Sequence, residues 1–357
     1  MSQTTSKTVK AAGKKIAIDI IVGLLCVGVF YVTHYLIPSK ASGDYTIISS
    51  AATTTAASTS TTNTNTQSTS ANTSDTSNSE TTEVSTTDVA TSTTASKVTD
   101  WSEKFADKFT DTVVQTDSSY TSPDVSITIE NVTTESGSSQ ISYYVADIYV
   151  ADITCFQTAL AKDTYGTGYK DTISNMASDN NAILATNGDY YSYSNEGIVI
   201  RNGVVYRSAQ TDADVCVLYY DGTMKTFSGS EFDIDEAIND GAYQAWTFGP
   251  MLLDDSGNAI TSFNASKRLQ SKNPRTAIGY YEPGHYCLVT VDGRDDDSAG
   301  MTLTNLSNLF EELGCTSAYN LDGGKSSVMT YDGTVVNNPV NGGRQSSDCI
   351  LIKEVTE

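Results

Sequence analysis

Three segments of the sequence end a strand-like run with an aspartate beside a glycine. They are Asn187-Gly188-Asp189 after AILAT, Asp292-Gly293-Arg294 after YCLVTV, and Asp322-Gly323-Gly324 after TSAYNL. A carboxylate at the end of a strand can serve as a general acid, a general base or a nucleophile, and a neighbouring glycine lets the backbone come close to a ligand. One such segment predicts only a turn. Three that converge predict a candidate active site.

The segments at Asp292 and Asp322 are predicted to converge. Between them lies a helical pattern over 302–313 that Gly314 ends, with its buried side formed by Leu303, Leu306, Leu309, Phe310 and Leu313. Strand, helix and strand in this order predict a parallel βαβ unit. Adjacent strands are ~5 Å apart and strands separated by one other are ~10 Å apart. This spacing fits the ~5–10 Å that separates the carboxylates of glycoside-cleaving enzymes.

All six arginines follow residue 200, and arginine is suited to bidentate contact with phosphate or carboxylate. If Pro283-Gly284 is a two-residue hairpin loop, the strands pair so that Arg275 faces Asp292. A one-residue bulge would break this register. The pair is then either a cross-strand ion pair or a carboxylate beside an anion clamp.

Several classes of site are disfavoured. Gly324-Lys325-Ser326 resembles the end of a P-loop, but Tyr319 stands where that loop needs glycine. A net charge of −22 makes nucleic acid a poor partner. His285 is the one histidine after residue 34, and the sequence has no CxxC motif, so zinc and histidine-based triads are not predicted.

No cofactor is predicted. The run Asp295-Asp296-Asp297 is read as a solvated acidic turn, with a calcium site as the alternative.

The N-terminal part predicts a membrane anchor. Residues 1–15 carry Lys7, Lys10, Lys14 and Lys15 and are interpreted as a cytoplasmic tail. Residues 16–38 are apolar for long enough to span a bilayer as an uncleaved signal anchor. Residues 39–99 are rich in Ser and Thr and are predicted to be a disordered linker. The expected location is the cell membrane, with a single span and the C-terminal domain outside.

The rest of the chain predicts a folded domain. Residues 100–119 are expected to form an amphipathic helix and lead-in, with Trp101, Phe105, Phe109 and Val113 on one stripe. Residues 120–357 predict an α+β domain, dominated by a mixed sheet with several hairpins and at least one βαβ unit. Asn202-Gly203, Asp221-Gly222 and Asp332-Gly333 are hairpin signals, and 233–241 is a second helical pattern.

An ordered set of motifs resembles the phosphodiester glycosidase family. The matching stretches lie within roughly residues 180–352 and comprise NGDYYS, GIVIRNG, AWTFGPMLL, NPRTAIGY, VDGR, SAGMTLTNLSNLFEELGC, YNLDGGKSS and VNGGRQSSDCILI. Family chains often have a third glycine where this chain has Lys325, and the acidic run 295–297 replaces a less acidic loop. These departures bear on substrate choice and on activity.

Together with the predicted membrane anchor, the resemblance implies an extracellular, membrane-anchored hydrolase that cleaves an N-acetylglucosamine-like sugar from a sugar-1-phosphodiester in cell-surface glycan or exopolysaccharide. Asp322 or Asp189 is the expected nucleophile or base. Asp292 is expected to position Arg275 or to be the second catalytic carboxylate. The expected substrate-binding residues are Arg275, Arg294, Arg344, Asn187, Asn320, Gly323, Gly324 and Ser326. Two alternatives stay open, a non-catalytic cell-wall glycan-binding module and a transglycosylase that uses a phosphodiester sugar donor.

Overall fold

The computed structural model describes residues 24–25, 39–40, 45–48, 100–134 and 140–355. Within them, four helices are α1 (Ile173–Asp179), α2 (Ile234–Asn239), α3 (Lys267–Gln270) and α4 (Leu303–Glu312). The strands are β1 (Ser39–Lys40), β2 (Thr46–Ile47), β3 (Val114–Gln115), β4 (Ser119–Thr121), β5 (Val125–Thr134), β6 (Ile141–Val150), β7 (Phe156–Leu160), β8 (Gly166–Thr167), β9 (Leu184–Asn187), β10 (Ile198–Arg201), β11 (Val204–Ser208), β12 (Val215–Tyr219), β13 (Met224–Phe227), β14 (Ala242–Thr247), β15 (Arg275–Glu282), β16 (His285–Val291), β17 (Ser317–Asn320), β18 (Met329–Tyr331), β19 (Thr334–Val335) and β20 (Asp348–Ile352).

Three main sheets surround a shared core. Their strand orders are β17-β15-β16-β6-β5-β4-β3, β13-β12-β14-β10-β11-β2 and β19-β18-β9-β20-β7. The largest group of buried apolar side chains draws on all three sheets, and includes Ile148, Leu218, Trp246, Tyr286 and Ile350. The sheet-dominated fold predicted from the sequence is therefore confirmed for the described part of the chain.

The predicted βαβ unit is present with one strand inserted in its middle. Both β16 and β17 pair antiparallel with β15, so they run parallel to each other on either side of it. Helix α4 joins them. The Thr302 side chain accepts a hydrogen bond from the Asn305 N–H at its start, and Gly314 follows its end with φ +81°. The turns after β16 and β17 consequently leave the same edge of the sheet.

The predicted register of the β15–β16 hairpin is wrong beyond its first pair. Glu282 pairs with His285 as expected, but Tyr280 pairs with Tyr286, which leaves Tyr281 as an extra residue. The Tyr281 ring stacks on His285 with centroids 4.0 Å apart. This bulge shifts the pairing by one residue, so Arg275 lies opposite Val291 instead of Asp292.

The three expected hairpins and the second helix are confirmed. Strand pairs β10–β11, β12–β13 and β18–β19 turn at Asn202-Gly203, Asp221-Gly222 and Asp332-Gly333. Helix α2 begins after Asp233, whose carboxylate accepts a hydrogen bond from the Glu236 N–H.

The helix expected within 100–119 does not form. Residues 102–108 are a series of turns, in which the Phe105 N–H donates to the Trp101 carbonyl at 3.1 Å. The predicted burial of the apolar side chains is partly confirmed, because Trp101 and Phe105 are buried in the main core and Phe109 packs against it. Val113 is 57% exposed. Too few positions of the stripe are buried to stabilise a regular helix.

Part of the predicted linker belongs to the folded domain. Strand β2 pairs with the edge strand β11, and Ile48 is buried against the six-stranded sheet. Strand β1 pairs with β8. The apolar TII segment, Thr46 to Ile48, explains why this stretch adds to a sheet edge. The linker prediction starting at residue 39 is therefore wrong for these residues.

The other N-terminal predictions lie largely outside the described residues. This holds for the tail 1–15, for the anchor 16–38 apart from Leu24 and Leu25, and for the remainder of the linker 39–99. Among the described residues, no helix has the length and apolar character needed to cross a bilayer.

Candidate active site

A cavity of about 530 Å³ lies at the edge where β17 ends and β15 begins. Its lining includes Asp322 and five cationic residues, Arg268, Arg275, Arg294, Lys325 and Arg344. Four of the six arginines of the chain thus meet in one cavity, although the net charge of the chain is −22. Asp322 is the one carboxylate among the described residues of this lining. Such an excess of positive charge favours an anionic ligand.

Asp322 follows the carboxyl end of β17 and is 7% exposed. Its Oδ2 accepts a hydrogen bond from Arg344 Nη2 at 2.6 Å, and its Oδ1 accepts one from the Gly323 N–H at 2.9 Å. Arg344 Nε also donates to Ser326 Oγ at 3.0 Å. Burial raises the pKa of Asp322, and hydrogen bonding to Ser326 and the charge of Arg344 oppose that rise.

The two glycines after Asp322 are explained by protein neighbours. A Cβ on Gly323 would lie 2.7 Å from the Pro274 carbonyl oxygen. Gly324 has φ +68°, and a Cβ there would lie 3.0 Å from Arg294 Nη1. The Gly324 N–H donates to the same Pro274 carbonyl at 3.0 Å. The glycines therefore let this loop lie directly against the start of β15 and under the Arg294 guanidinium.

Arg275 is a buried part of the cavity wall. Its Nε donates to the Met301 carbonyl at 3.0 Å, and its Nη2 donates to the carbonyls of Leu269 and Ser271 at 2.5 and 2.7 Å. Burial and the neighbouring charge of Arg294 lower the pKa of Arg275 to about 10. Within the described residues, no carboxylate forms an ion pair with it. It fixes the backbone around the cavity and keeps a positive charge there.

Arg294 from a loop and Arg268 from a short helix complete the positive wall. Arg294 has φ 63°, and its Nη2 donates to Asn273 Oδ1 at 2.6 Å. Arg268 lies on the short helix α3 and is exposed. Arg268 was not predicted as a site residue, because no glycine or aspartate motif surrounds it in the sequence. The uneven distribution of arginine along the chain was the available signal.

Asp292 lies outside this cavity. Its Oδ1 accepts hydrogen bonds from Asn337 Nδ2 at 2.8 Å and from the Asn338 N–H at 3.0 Å. Burial raises its pKa, and these hydrogen bonds oppose the rise. Because of the bulge in β15, Asp292 makes no ion pair with Arg275. Asp292 contacts the 337–338 segment, so the predicted pairing of Asp292 with Arg275 is wrong. Asp292 also does not lie beside Asp322 in the cavity, as a second catalytic carboxylate would.

Asp189 is likewise absent from the cavity lining and belongs to a buried ion-pair network. Its Oδ1 accepts from Arg201 Nη2 at 2.9 Å, and its Oδ2 accepts from the Thr247 N–H at 3.0 Å. Arg201 Nε donates to Asp348 Oδ2 at 2.9 Å. Arg201 and Asp348 were not predicted as partners, because they lie on the separate strands β10 and β20 and no local pattern in the sequence pairs these strands with the turn at Asp189.

Asp348 is the most completely enclosed carboxylate of that network, and one of its oxygens lacks a hydrogen bond to the described residues. It is fully buried, and its Oδ1 makes no hydrogen bond to the described residues. Burial raises its pKa to about 7, and Arg201 opposes the rise. A Cβ on Gly188 would lie 2.6 Å from Asp348 Oδ2, so the predicted turn at Asn187-Gly188-Asp189 is pressed against this carboxylate.

The two selected asparagines support the backbone beside the cavity. Asn187 Nδ2 donates to the Asp322 carbonyl at 2.7 Å, and its Oδ1 accepts from Thr276 Oγ1 at 2.7 Å. Asn320 Nδ2 donates to the Gly249 carbonyl at 2.8 Å. Neither side chain is part of the described lining. Asn187 thereby links β9 to the turn that carries Asp322.

The acidic run 295–297 forms a local turn. Asp295 Oδ1 accepts from the N–H groups of Asp297 and Ser298 at 3.1 and 2.7 Å. Within the described part of the chain, no group of three or more His, Cys, Asp or Glu side chains could hold a metal ion. The contacts at this run are those of a polar turn.

Comparison with known proteins places the region that builds this cavity in a family. Residues 180–353 match the family described as phosphodiester glycosidase. Over 184 residues, the chain is 35% identical to the SPbeta prophage-derived uncharacterized protein YomE of Bacillus subtilis strain 168. That alignment covers 50% of this chain and 29% of YomE, so the chain spans under a third of this relative.

A solved structure shares the fold. The zebrafish N-acetylglucosamine-1-phosphodiester alpha-N-acetylglucosaminidase catalytic domain, auto-inhibited by its pro-peptide, aligns with a TM-score of 0.53 at 20% identity. The alignment covers 66% of this chain and 85% of that one. The sequence match and the shared fold agree with the motifs found in the sequence, and residues 180–353 of this chain match the phosphodiester glycosidase family.

Proposed function

We propose that the domain hydrolyses the bond between the anomeric carbon of a sugar and the oxygen of a phosphodiester. The observation that carries this proposal is the cavity in which five cationic side chains surround the single described carboxylate, Asp322. The proposed substrate is an N-acetylglucosamine-like sugar-1-phosphodiester in cell-surface glycan or exopolysaccharide. The match of residues 180–353 to the phosphodiester glycosidase family supports this substrate class.

In this proposal the arginines bind the phosphate. Arg294 is exposed on the cavity rim, and Arg275 carries a buried charge that no described carboxylate neutralises. Arginine donates paired hydrogen bonds to phosphate oxygens in a fixed plane. Arg344 lies beside both the carboxylate and the cavity, so it connects the phosphate site to the reacting group.

Asp322 is the proposed reacting carboxylate. Either it attacks the anomeric carbon and forms a glycosyl-enzyme ester that water then hydrolyses, or it takes a proton from a water that attacks directly. In both cases the bond from the anomeric carbon to the phosphate oxygen breaks, and the phosphate leaves with the electron pair. The positive wall stabilises that leaving group, so the reaction depends less on a second carboxylic acid than ordinary glycoside cleavage does.

The location proposed for this activity is the outer face of the cell membrane. It is supported by the apolar stretch 16–38 with lysines before it, as read from the sequence. Topology is tested by adding protease to intact cells. Digestion of the 100–357 region without lysis supports an external domain, and protection until lysis contradicts it.

The activity is tested with the full chain and UDP-N-acetylglucosamine, by following free sugar with chromatography. Asp322→Asn is run in parallel, and Asp295→Asn in the exposed acidic turn is the matched control. We expect the wild type and Asp295→Asn to release sugar. Asp322→Asn should lose at least ~100-fold in kcat. Its melting temperature should change little, because asparagine has the same shape and keeps an oxygen that can accept from Arg344 Nη2. Equal turnover by Asp322→Asn would remove this residue from the mechanism.

The same assay separates hydrolysis from the two alternatives. Addition of a glycan acceptor that diverts the sugar from water into a new glycoside would establish a transferase. Binding of wall polysaccharide by a folded protein that releases no sugar would establish a binding module.

A further inference from the structure

A continuous row of side-chain contacts leads from the candidate reacting carboxylate out to a second cavity. Arg344 contacts Asp322 at 2.6 Å, and its guanidinium carbon lies 5.2 Å from the centroid of the Tyr190 ring. Tyr190 and Tyr193 are stacked, with centroids 3.7 Å apart and planes inclined by 5°. Lys170 Nζ lies 4.4 Å from the Tyr193 centroid. Tyr190 lines the first cavity, so the row joins it to the space beyond Tyr193.

The second cavity has the chemistry of a carbohydrate site. It has a volume of about 380 Å³, and Tyr193, Lys170, Ser192, Ser194 and Asn195 contribute to its lining. Tyr193 is 49% exposed and is the one tyrosine among the large, well-exposed hydrophobic side chains of the described residues. An exposed aromatic ring surrounded by hydroxyl and amide groups offers a stacking face and hydrogen bonds together, which suits a sugar ring.

Lys170 adds a positive charge to this site. Its ammonium group donates to the Tyr193 hydroxyl. No described carboxylate forms an ion pair with it, whereas Lys104 and Lys162 each contact one. The charge is therefore available to an anionic group of a ligand in this cavity.

We propose that Tyr193 and Lys170 form a second glycan subsite, and that the substrate is a chain in which phosphodiesters join successive sugar units. This proposal rests on the proposed function, because the first phosphodiester occupies the arginine cavity. The next sugar lies on Tyr193 and the next phosphate lies near Lys170. A chain of this kind uses both cavities, whereas a small sugar phosphodiester uses only the first.

The experiment compares synthetic oligomers of N-acetylglucosamine 1-phosphate with one and with three units, using the full chain. The wild type is expected to show a kcat/KM roughly 10-fold higher for the trimer than for the monomer methyl ester. Tyr193→Ala and Lys170→Gln are expected to lower the value for the trimer about 3- to 10-fold and to leave the monomer within about 2-fold. Tyr193→Phe should retain most of the preference, since the ring remains.

Lys225→Gln is the matched control, because Lys225 lies 5.5 Å from the centroid of Tyr219 at a different cavity. Equal kcat/KM values for monomer and trimer in the wild type would overturn the subsite and leave the proposed function intact. A trimer preference that survives both substitutions would have the same meaning. If neither oligomer is cleaved, trimer binding is measured by calorimetry. Trimer binding that weakens in Tyr193→Ala supports the subsite, although hydrolysis has failed. The subsite is overturned if the trimer does not bind, or if the substitution leaves its binding unchanged.

Discussion

Arg344 Nη2 lies 2.6 Å from Asp322 Oδ2, and this ion pair joins the ends of two different sheets. Asp322 follows β17 of the seven-stranded sheet, whereas Arg344 precedes β20 of the five-stranded sheet. The candidate reacting group is therefore held by a residue that reaches it from another layer. Any change in how these sheets pack would alter the orientation of the carboxylate.

Arg294→Gln should weaken substrate binding more than it weakens the fold. Arg294 is exposed, and its loss removes a charged donor for phosphate worth about 1.5 kcal/mol or more, so KM should rise roughly 10-fold or more. Titration of substrate at low and high salt measures this effect, and KM of the variant should depend less on salt than that of the wild type. Arg294→Lys is the comparison that keeps the charge. An unchanged KM and an unchanged salt dependence in Arg294→Gln would contradict phosphate binding by this residue.

Arg201→Met should destabilise the domain strongly. It leaves Asp189 and Asp348 buried without their shared cation, and such a loss costs about 3–5 kcal/mol. Urea denaturation provides the free energy of unfolding. A triple variant, Arg201→Met with Asp189→Leu and Asp348→Leu, should recover part of the loss because no buried charge remains. A decrease below about 1 kcal/mol for Arg201→Met would show that the network contributes little.

Asp348 should make the stability depend on pH. Its pKa is raised from 3.8 to about 7 in the folded protein. Between these values the folded state holds a proton that the unfolded chain releases, so this contribution to stability is present at low pH and is lost as the pH rises through 7. The difference in unfolding free energy between wild type and Asp348→Asn should change by on the order of 1 kcal/mol per pH unit in this window. A pH-independent difference would show that the carboxyl group does not titrate there.

Lys325→Gln should affect the substrate rather than the fold. Lys325 is exposed and lines the cavity. We expect KM to rise about 3-fold, with a melting temperature close to that of the wild type, because one solvated charge near a phosphate contributes under about 1 kcal/mol. Lys108→Gln, at an exposed lysine beside Asp107, controls for the change in net charge. A lower KM in Lys325→Gln would indicate that the lysine obstructs the site.

The sequence by itself determined the local elements and the edge where the site lies. Alternation of apolar residues, helix periodicity and turn dipeptides depend on neighbours a few residues away, and they correctly predicted helix α4, three hairpins and the parallel relation of β16 and β17. They also predicted that the turns carrying Asp292 and Asp322 converge at one sheet edge. The cavity at this edge is lined by Asp322 and by Arg294, but not by Asp292.

The tertiary structure decided which side chains are partners. The bulge at Tyr281 shifts the register, so that Arg275 does not lie opposite Asp292. Asp189 forms an ion pair with Arg201 from β10, and Asp348 from β20 contacts the same arginine. Arg268 enters the cavity from the four-residue helix α3, and Tyr190 enters it from a loop, and neither segment has a periodic pattern in the sequence. Side-chain partners are set by contacts between residues distant in the chain and by single-residue shifts of register, and neither leaves a local signal in the sequence.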